Sequence, residues 1–294
     1  MSDKRLYIIG NGFDIFHGIK SKYSDFKDFV KKQNRNLFDA LEEYFNSDEL
    51  WADFEETLAY IDMDKIVDDA SDFLISYAAE DWSDAYHHDY QYEIRRVINI
   101  VTVDLKKIFT RWVLELDIPT SKKLPLPKSS TYLTFNYTKT LEKNYQIPSA
   151  NIVYIHNKAV DENSTLILGH SRQPTQKISF NEEIDMEDED VRIAEGHQIL
   201  NNYFLRTYKN TETIISEKQS FFNQIKNIDE IYVFGHSIST VDQKYFEKIL
   251  SVVSKNATWT VSYYGHEQQS ERFETLLNLG IEADKIKLIQ LTDL

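Results

Sequence analysis

Residues able to bind a nucleotide or to transfer a proton occur in four short polar motifs, each at the end of a predicted β-strand. The motifs are GNGFD at 10–14, FNYT at 135–138, IHN at 155–157 and FGHS at 234–237. Glycine amides could bind a pyrophosphate, amide and carboxylate groups could bind ribose hydroxyls, and imidazole suits general-base chemistry near neutral pH. Each motif alone is also typical of an ordinary turn, cap or core histidine. Four of them at one predicted sheet edge favour a ligand site.

The first motif follows the apolar run Leu6–Ile9 and brings two glycines close together. A buried strand that ends this way gives a sharp turn, where backbone N–H groups can face an anion without a Cβ in the way. The match to the dinucleotide fingerprint G-x-G-x-x-G is partial, because Ile15 occupies the third glycine position. The candidate ligand-binding residues of this motif are Gly10, Asn11, Gly12, Phe13 and Asp14.

The elements that would position these motifs alternate between strands and helices in the second half of the chain. After the first strand, about a hundred residues are predicted to be helical, and they end with one long amphipathic helix over 93–117. The later strands are predicted at 131–135, 151–155, 165–168, 230–234, 257–263 and 286–291. The pattern predicts an α/β, Rossmann-like, mostly parallel sheet with a large all-helical insertion after the first strand.

The predicted division is a nucleotide-binding domain formed by 1–19 and 128–294, with the helical insertion at 20–127. The insertion contains no glycine that could serve a phosphate loop, so its expected roles are packing, specificity or assembly. We expect it to be the surface for a homo-oligomer or for a partner protein.

Composition restricts the function classes. The 294 residues carry a net charge of −15, which disfavours broad binding to nucleic acid or to an anionic membrane. There is no cysteine, so disulfides and thiolate metal sites are excluded. No segment has the length and apolarity of a signal peptide or a membrane span, and a cytoplasmic protein is expected. The acidic run 182–190 is predicted to be a solvated loop.

Three longer segments resemble one known family. GNGFDIFHGIKSKYSDF, LTFNYTKTLE and IYVFGHSISTVDQKYFEKI are similar to AbiH, a bacteriophage abortive-infection family, and the resemblance covers nearly the whole chain. AbiH in turn is distantly similar to sirtuin-like NAD-binding domains. The resemblance implies a phage-defence protein with NAD as substrate or ligand, and a defence-system partner is then a candidate for the surface of the helical insertion. No metal is expected.

The resemblance also implies roles for single residues. Gly10, Gly12 and Asp14 would form the phosphate loop, while Asn136 would face the nicotinamide ribose. His156 would act as the base, which makes His156 and Asn136 the candidate catalytic pair. The candidate ligand-binding residues of the late turn and of the helix after it are Gly235, His236, Ser237 and Asp242.

Three features depart from the sirtuin-like pattern. Asp14 would repel a pyrophosphate unless it faces a ribose or caps a helix. Asn157 stands where a glycine normally follows the histidine, but asparagine tolerates positive φ, so the turn is expected to be kept. A four-cysteine zinc module is impossible. Direct cleavage of NAD is therefore favoured over deacylation of a protein lysine.

Hydrolysis of NAD at the bond between nicotinamide and ribose is the preferred function, and three alternatives stay open. The protein could bind a nucleotide as a sensor without turnover, or act as an assembly protein through its helices. It could also be a metal-dependent nuclease that uses Asp14, Glu55 and Asp242, although the net negative charge disfavours that reading. Glu55 lies at the edge of an apolar helical stripe, as either a surface carboxylate or a partly buried acid with a raised pKa.

Overall fold

The computed structural model describes residues 3–80, 82–174 and 190–294, and most of the predicted acidic loop 182–190 lies outside them. A six-stranded, all-parallel sheet has the order β3-β2-β1-β4-β5-β6. The strands are β1 Arg5–Ile9, β2 Thr131–Thr134, β3 Ile152–Tyr154, β4 Glu230–Phe234, β5 Thr258–Ser262 and β6 Ile286–Ile289. This order, in which the chain returns to the far side of β1 after β3, is the Rossmann arrangement, so the predicted α/β class is confirmed.

Fourteen α-helices occur in the described part of the chain. They are α1 Asn11–Phe16, α2 Tyr23–Gln33, α3 Arg35–Tyr44, α4 Ser47–Leu50, α5 Phe54–Thr57, α6 Met63–Ser71, α7 Asp89–Asn99, α8 Leu105–Glu115, α9 Thr140–Lys143, α10 Val191–Thr207, α11 Thr211–Glu217, α12 Gln219–Gln224, α13 Gln243–Val252 and α14 His266–Asn278. None of these helices combines the length and apolar character needed to cross a bilayer.

The described residues form two compact units. The first consists of Met1–Asp25, Thr110–Ile167 and Asn210–Leu294, and it contains the whole sheet. The second consists of Phe26–Phe109 and Leu168–Lys209 and is helical. The division into independent domains at 1–19 with 128–294, and at 20–127, stays a prediction.

In the first unit both faces of the sheet are apolar, because strand side chains alternate between faces. Leu6 and Ile8 of β1 contribute to a core with Val233, Tyr245 and Trp259 on one face. On the other face, Tyr7 stacks between Tyr132 and Tyr232, with ring centroids 5.1 and 4.8 Å away. Burial on both faces holds β1 at the centre of the sheet, where its carboxyl end meets those of β2 and β4.

In the second unit, aromatic and aliphatic side chains pack at helical spacing. The Phe26 ring meets the rings of Phe54 and Phe109 edge-on at 5.5 and 5.2 Å. Gly196 lets α10 approach α7 closely, because a Cβ at this position would lie 2.6 Å from the Tyr90 ring.

The structure corrects two predicted elements of the helical region. The long helix predicted over 93–117 runs from α7 to α8, but Ile100–Asp104 between them forms a π-helical turn. Within that turn, the Thr102 hydroxyl donates to the Ile98 carbonyl at 2.6 Å, a bond that competes with regular helical pairing. The sequence also predicts a helix over 63–80, and in the structure this helix, α6, ends at Ser71.

The strand predicted at 165–168 is wrong. Its backbone groups bond to a loop and to a side chain instead of to a neighbouring strand. Ile167 N–H donates to the His156 carbonyl at 3.0 Å, and the Tyr137 hydroxyl donates to the Ile167 carbonyl at 2.8 Å. Among the described residues, an isolated bridge joins His170 to Tyr208 within the second unit.

Candidate functional site

The four predicted motifs lie at the carboxyl ends of four adjacent strands, β3, β2, β1 and β4. Backbone hydrogen bonds between neighbouring strands continue into the first residues of the motifs. Phe135 N–H donates to the Ile9 carbonyl at 2.8 Å, and Gly10 N–H donates to the Phe234 carbonyl at 3.0 Å. Because these bonds fix the backbone, the residues that follow are held at one edge of the sheet, as the sequence predicts for parallel strands.

The two glycines of the first motif pack against the fourth motif. Gly12 N–H donates to the Gly235 carbonyl at 2.7 Å, and a Cβ on Gly12 would lie 2.9 Å from the Gly235 Cα. A Cβ on Gly10 would lie 2.6 Å from the His236 Cα, and Gly235 itself has φ +67°. These glycines therefore allow close contact between two backbone turns, and the amides of Gly10 and Gly12 already have carbonyl partners. Their contact with a pyrophosphate stays a prediction.

Two other side chains of the first motif have roles within the fold. The Asn11 side-chain amide donates to the Ser21 carbonyl at 2.7 Å, which ties the start of α1 to the chain beyond it. Phe13 is fully buried in the core on the Tyr7 face of the sheet.

Asp14 is almost completely buried and links the first motif to the second. Its Oδ2 accepts a hydrogen bond from the Thr138 hydroxyl at 2.6 Å, whereas its Oδ1 has no hydrogen-bond partner in the described structure. Burial raises the pKa of the Asp14 carboxyl from 3.8 to about 6, because it penalises the charged form more than the nearby Thr138, Thr140 and Asn136 side chains stabilise it. Asp14 is thus a buried acid that titrates near neutral pH.

Asn136 is also buried and is held in one orientation. Its side-chain amide donates to the Gly10 carbonyl at 3.1 Å, and its backbone N–H donates to the Thr134 hydroxyl at 3.1 Å. Since Asn136 and Thr138 both bond to the first motif, the ends of β1 and β2 form one connected polar group.

His156 and His236 lie on either side of a single carboxylate. His156 Nε2 is 3.7 Å from Asp242 Oδ1, and His236 Nε2 is 3.4 Å from Asp242 Oδ2. Both imidazoles are buried, and the Asp242 side chain is 14% exposed. The structure therefore brings together His156, which was predicted as the base, with two residues that were predicted only to bind the ligand.

Aromatic side chains surround the two histidines. The Phe135 ring centroid lies 4.2 Å from that of His236 and 5.4 Å from that of His156. Tyr245 of α13 contacts the His156 ring at 5.6 Å. These rings lower the local dielectric around the group, which strengthens the interaction between charges.

Ser237, another predicted site residue, is exposed and lies outside this group, as the side chains of Asn11 and Phe13 do. Asn157 has φ +66°, so the expectation that asparagine keeps the turn is confirmed. Sequence reasoning gave no role to Thr138 or Ile238. Thr138 lies in a motif that the sequence analysis did single out, but nothing local indicates that Ile238 adopts a left-handed backbone.

A cavity of about 450 Å³ lies beside the edge strand β3 and contains none of the predicted site residues. It is lined by Ser149, Ile152, Val153, Tyr154, Asn157, Lys158, Lys218, Ser220 and Phe221. The cavity has two cationic side chains, Lys158 and Lys218. The Lys158 ammonium is paired with the Glu142 carboxylate at 2.8 Å, so its charge is already neutralised.

Of the acids that a nuclease would need, Glu55 belongs to the second unit and forms an ion pair with Lys209. Within residues 3–80, 82–174 and 190–294, no group of three or more histidine, aspartate and glutamate side chains is arranged to hold a metal ion.

Comparison with known proteins gives one family. The family model described as "Bacteriophage abortive infection AbiH" matches residues 6–263, a range that includes all four motifs. No curated protein matches the chain.

Proposed function

Because the chain belongs to the AbiH family of bacteriophage abortive-infection proteins, it is a phage-defence protein, and we propose that it acts by binding and hydrolysing NAD. The bond cleaved would be the one between nicotinamide and ribose. The observation that carries the proposal is the pairing of buried His156 with Asp242 at a sheet edge where Asn136 is also held in place.

In the proposed reaction, a water oxygen forms a bond to the ribose C1′. The C1′–N bond breaks, and its electron pair leaves with nicotinamide. His156 accepts the proton released by water, while Asn136 orients the water or the ribose. Proton acceptance by a positioned imidazole contributes about 10²–10⁴-fold to such a reaction.

The polar side chains suit the ribose end of NAD better than its phosphates. The unpartnered oxygen of Asp14 and the amide of Asn136 could accept or donate to ribose hydroxyls after a small local opening. The amides of Gly10 and Gly12 would have to exchange carbonyl partners before they could bind a pyrophosphate. Similarity to sirtuin-like domains stays part of this proposal.

One alternative is a sensor that binds a nucleotide without turnover, because Asp14 and Asn136 could contact ribose hydroxyls without proton transfer by His156. Two measurements on the purified protein separate the proposal from this alternative. Incubation with NAD followed by chromatography measures free nicotinamide, and calorimetry measures binding. Release of nicotinamide supports the proposal. Binding without release identifies a sensor, and neither binding nor release overturns both.

A control variant tests whether a contaminating hydrolase causes the release of nicotinamide. His170→Gln changes a buried histidine of the second unit that lies outside the four motifs at the strand ends. It should retain full nicotinamide release, whereas His156→Gln, purified in the same way, should lose it. Equal release from both variants would show that the activity does not come from this site.

A further inference from the structure

We propose that Asp242 and His236 are positioning residues for His156, and that Asp242 holds the proton of His156 on Nε2 so that Nδ1 is the basic nitrogen. This inference rests on the proposed function, since it assigns how the base of that reaction is oriented. It also changes the role of His236 and Asp242, which the sequence placed among the ligand-binding residues.

The first step concerns the proton on His236. Ile238 N–H donates to His236 Nδ1 at 2.8 Å. A nitrogen that accepts a hydrogen bond carries no proton, so the neutral ring has its proton on Nε2. That Nε2–H points at Asp242 Oδ2, 3.4 Å away.

The second step concerns the backbone that supplies this N–H group. Ile238 has φ +55°, a left-handed conformation that is unfavourable for a β-branched residue. Its side chain is buried in the apolar core on the Leu6 face, and this packing holds the conformation in place. Strained backbone of this kind is concentrated at functional sites. At Ile238, the strained backbone places the N–H group that orients the His236 ring.

The third step concerns the carboxylate. Asp242 lies at the end of the 3₁₀ turn Thr240–Asp242, directly before α13, so its backbone position is fixed. With Oδ2 facing His236, Oδ1 faces His156 Nε2 at 3.7 Å. This distance is longer than a hydrogen bond, and such contacts in unliganded sites often shorten when substrate binds.

The consequence for His156 follows from the same rule. A carboxylate beside Nε2 favours the tautomer with a proton on that nitrogen, which leaves the lone pair on Nδ1. When Nδ1 takes a proton, the imidazolium is stabilised by the negative charge of Asp242. This is the function of the carboxylate in a catalytic triad, with the two ring nitrogens exchanged.

The experiment combines a structural and a kinetic readout. Nitrogen-15 NMR of the histidine rings reports which nitrogen carries the proton, and it does not depend on NAD turnover. In the parent, both His156 and His236 should be protonated on Nε2. In Asp242→Asn, the tautomer of His156 should become mixed, while His236 should keep its proton on Nε2 because the Ile238 amide is unchanged. A parent His156 with its proton on Nδ1 would overturn the inference.

In the kinetic measurement, Asp242→Asn should lower kcat for nicotinamide release by about 10²–10⁴-fold with little change in KM. His236→Gln should lower kcat by a smaller factor. The matched controls are Asp229→Asn, at an exposed acid before β4, and His266→Gln, at an exposed histidine, and both should keep the parent kcat. An unchanged kcat in a folded Asp242→Asn protein would overturn the inference.

The two proposals fail in different ways. If the parent has both predicted tautomers but releases no nicotinamide, the hydrolase proposal is wrong while the His–Asp–His geometry is supported. If the parent releases nicotinamide and its His156 tautomer is insensitive to Asp242→Asn, the hydrolase proposal stands and the positioning role of Asp242 is wrong.

Discussion

Both units of the molecule bury polar side chains, but they differ in which partner compensates a buried charge. In the helical unit, the buried Lys209 ammonium is paired with Glu55, and the Arg192 guanidinium binds Asp190 at 2.6 Å and lies 4.1 Å from the Tyr77 ring centroid. In the unit that contains the sheet, buried Asp14 has a hydroxyl as its partner and no cation within the described residues.

The buried histidines of the two units also differ in whether a charged group lies beside them. His170 in the helical unit contacts the Thr207 hydroxyl at 3.2 Å, and burial lowers its pKa to about 4, so it is neutral at pH 7. His156 and His236 face a carboxylate instead. Paired charges and neutral groups stabilise a fold without needing to change protonation state. A carboxylate that lies between two buried imidazoles is suited to proton transfer, and this supports the proposal that the chemistry belongs to the first unit.

The largest expected effect tests that placement directly. His156→Ala should lower the rate of nicotinamide release by about 10²–10⁴-fold with an unchanged unfolding temperature, because it removes the proton acceptor. His170→Ala, the matched change in the helical unit, should instead lower the unfolding temperature and keep the rate per folded molecule. Thermal unfolding and the release assay on the same preparations check both. Activity that disappears only in proportion to unfolding would make His156 a structural residue.

The next effect concerns the stability of the helical unit. Lys209→Met should lower the free energy of unfolding by about 3–5 kcal/mol, because Glu55 would lose the cation that compensates its charge. The double variant Lys209→Met with Glu55→Gln should recover most of that loss, and urea unfolding measures both. No recovery in the double variant would mean that packing around the Lys209 side chain, and not its charge, provides the stability.

Asp14 should make the free energy of unfolding decrease as the pH rises. A salt-bridged acid, whose pKa is lowered in the folded protein, makes it increase. Between pH 3.8 and about 6 the folded protein keeps a proton on Asp14 that the unfolded chain releases. The contribution of this proton to the free energy of unfolding is therefore fully present below this range, and about 3 kcal/mol is lost as the pH rises through it. Asp14→Asn cannot ionise, so the difference in unfolding free energy between parent and variant should change by most of this amount from pH 4 to pH 7.

Urea unfolding at several pH values gives that difference, and Asp284→Asn, at an exposed acid, is the control that should show none of it. A parent-to-variant difference that is constant with pH would show that Asp14 ionises in the folded protein as it does in the unfolded one.

The smallest expected effect compares two glycines in close contacts. Gly12→Ala should lower the free energy of unfolding by about 1–3 kcal/mol, because the added Cβ meets the backbone of Gly235, which cannot move independently. Gly196→Ala adds a Cβ against the side chains of Tyr90 and Ile94, and it also gains about 1 kcal/mol of helix propensity. Its net effect should be within about 1 kcal/mol. Equal losses in chemical unfolding would show that the two contacts are equally adaptable.

All six strands of the sheet were predicted, and β1 to β4 each lead into one of the four polar motifs, as Leu6–Ile9 and Ile231–Phe234 do. The predicted ranges of β3, β5 and β6 were each two residues too long. The false strand at 165–168 has the same local pattern, and only its bonds to His156 and Tyr137 show that it pairs with no strand.

The sequence predicted that the motifs lie at one edge of the sheet, but it did not predict which of their side chains are in contact. Parallel strands place their carboxyl ends together, so the motifs at Gly10, Asn136, His156 and Gly235 had to lie at one edge. Which side chains would meet there did not follow, since Asp14 and Thr138 are 124 residues apart in the chain.

The sequence by itself determined the family, the α/β class, the lack of thiol chemistry and the set of polar residues at the strand ends, because each depends on residue type and local period. Only the tertiary structure decided that Gly12 contacts Gly235, that Asp14 is buried beside Thr138, and that Asp242 lies between His156 and His236. These contacts depend on the order of strands in the sheet and on burial. Neither property is encoded in the local period of the chain, because both arise when segments distant in sequence pack together.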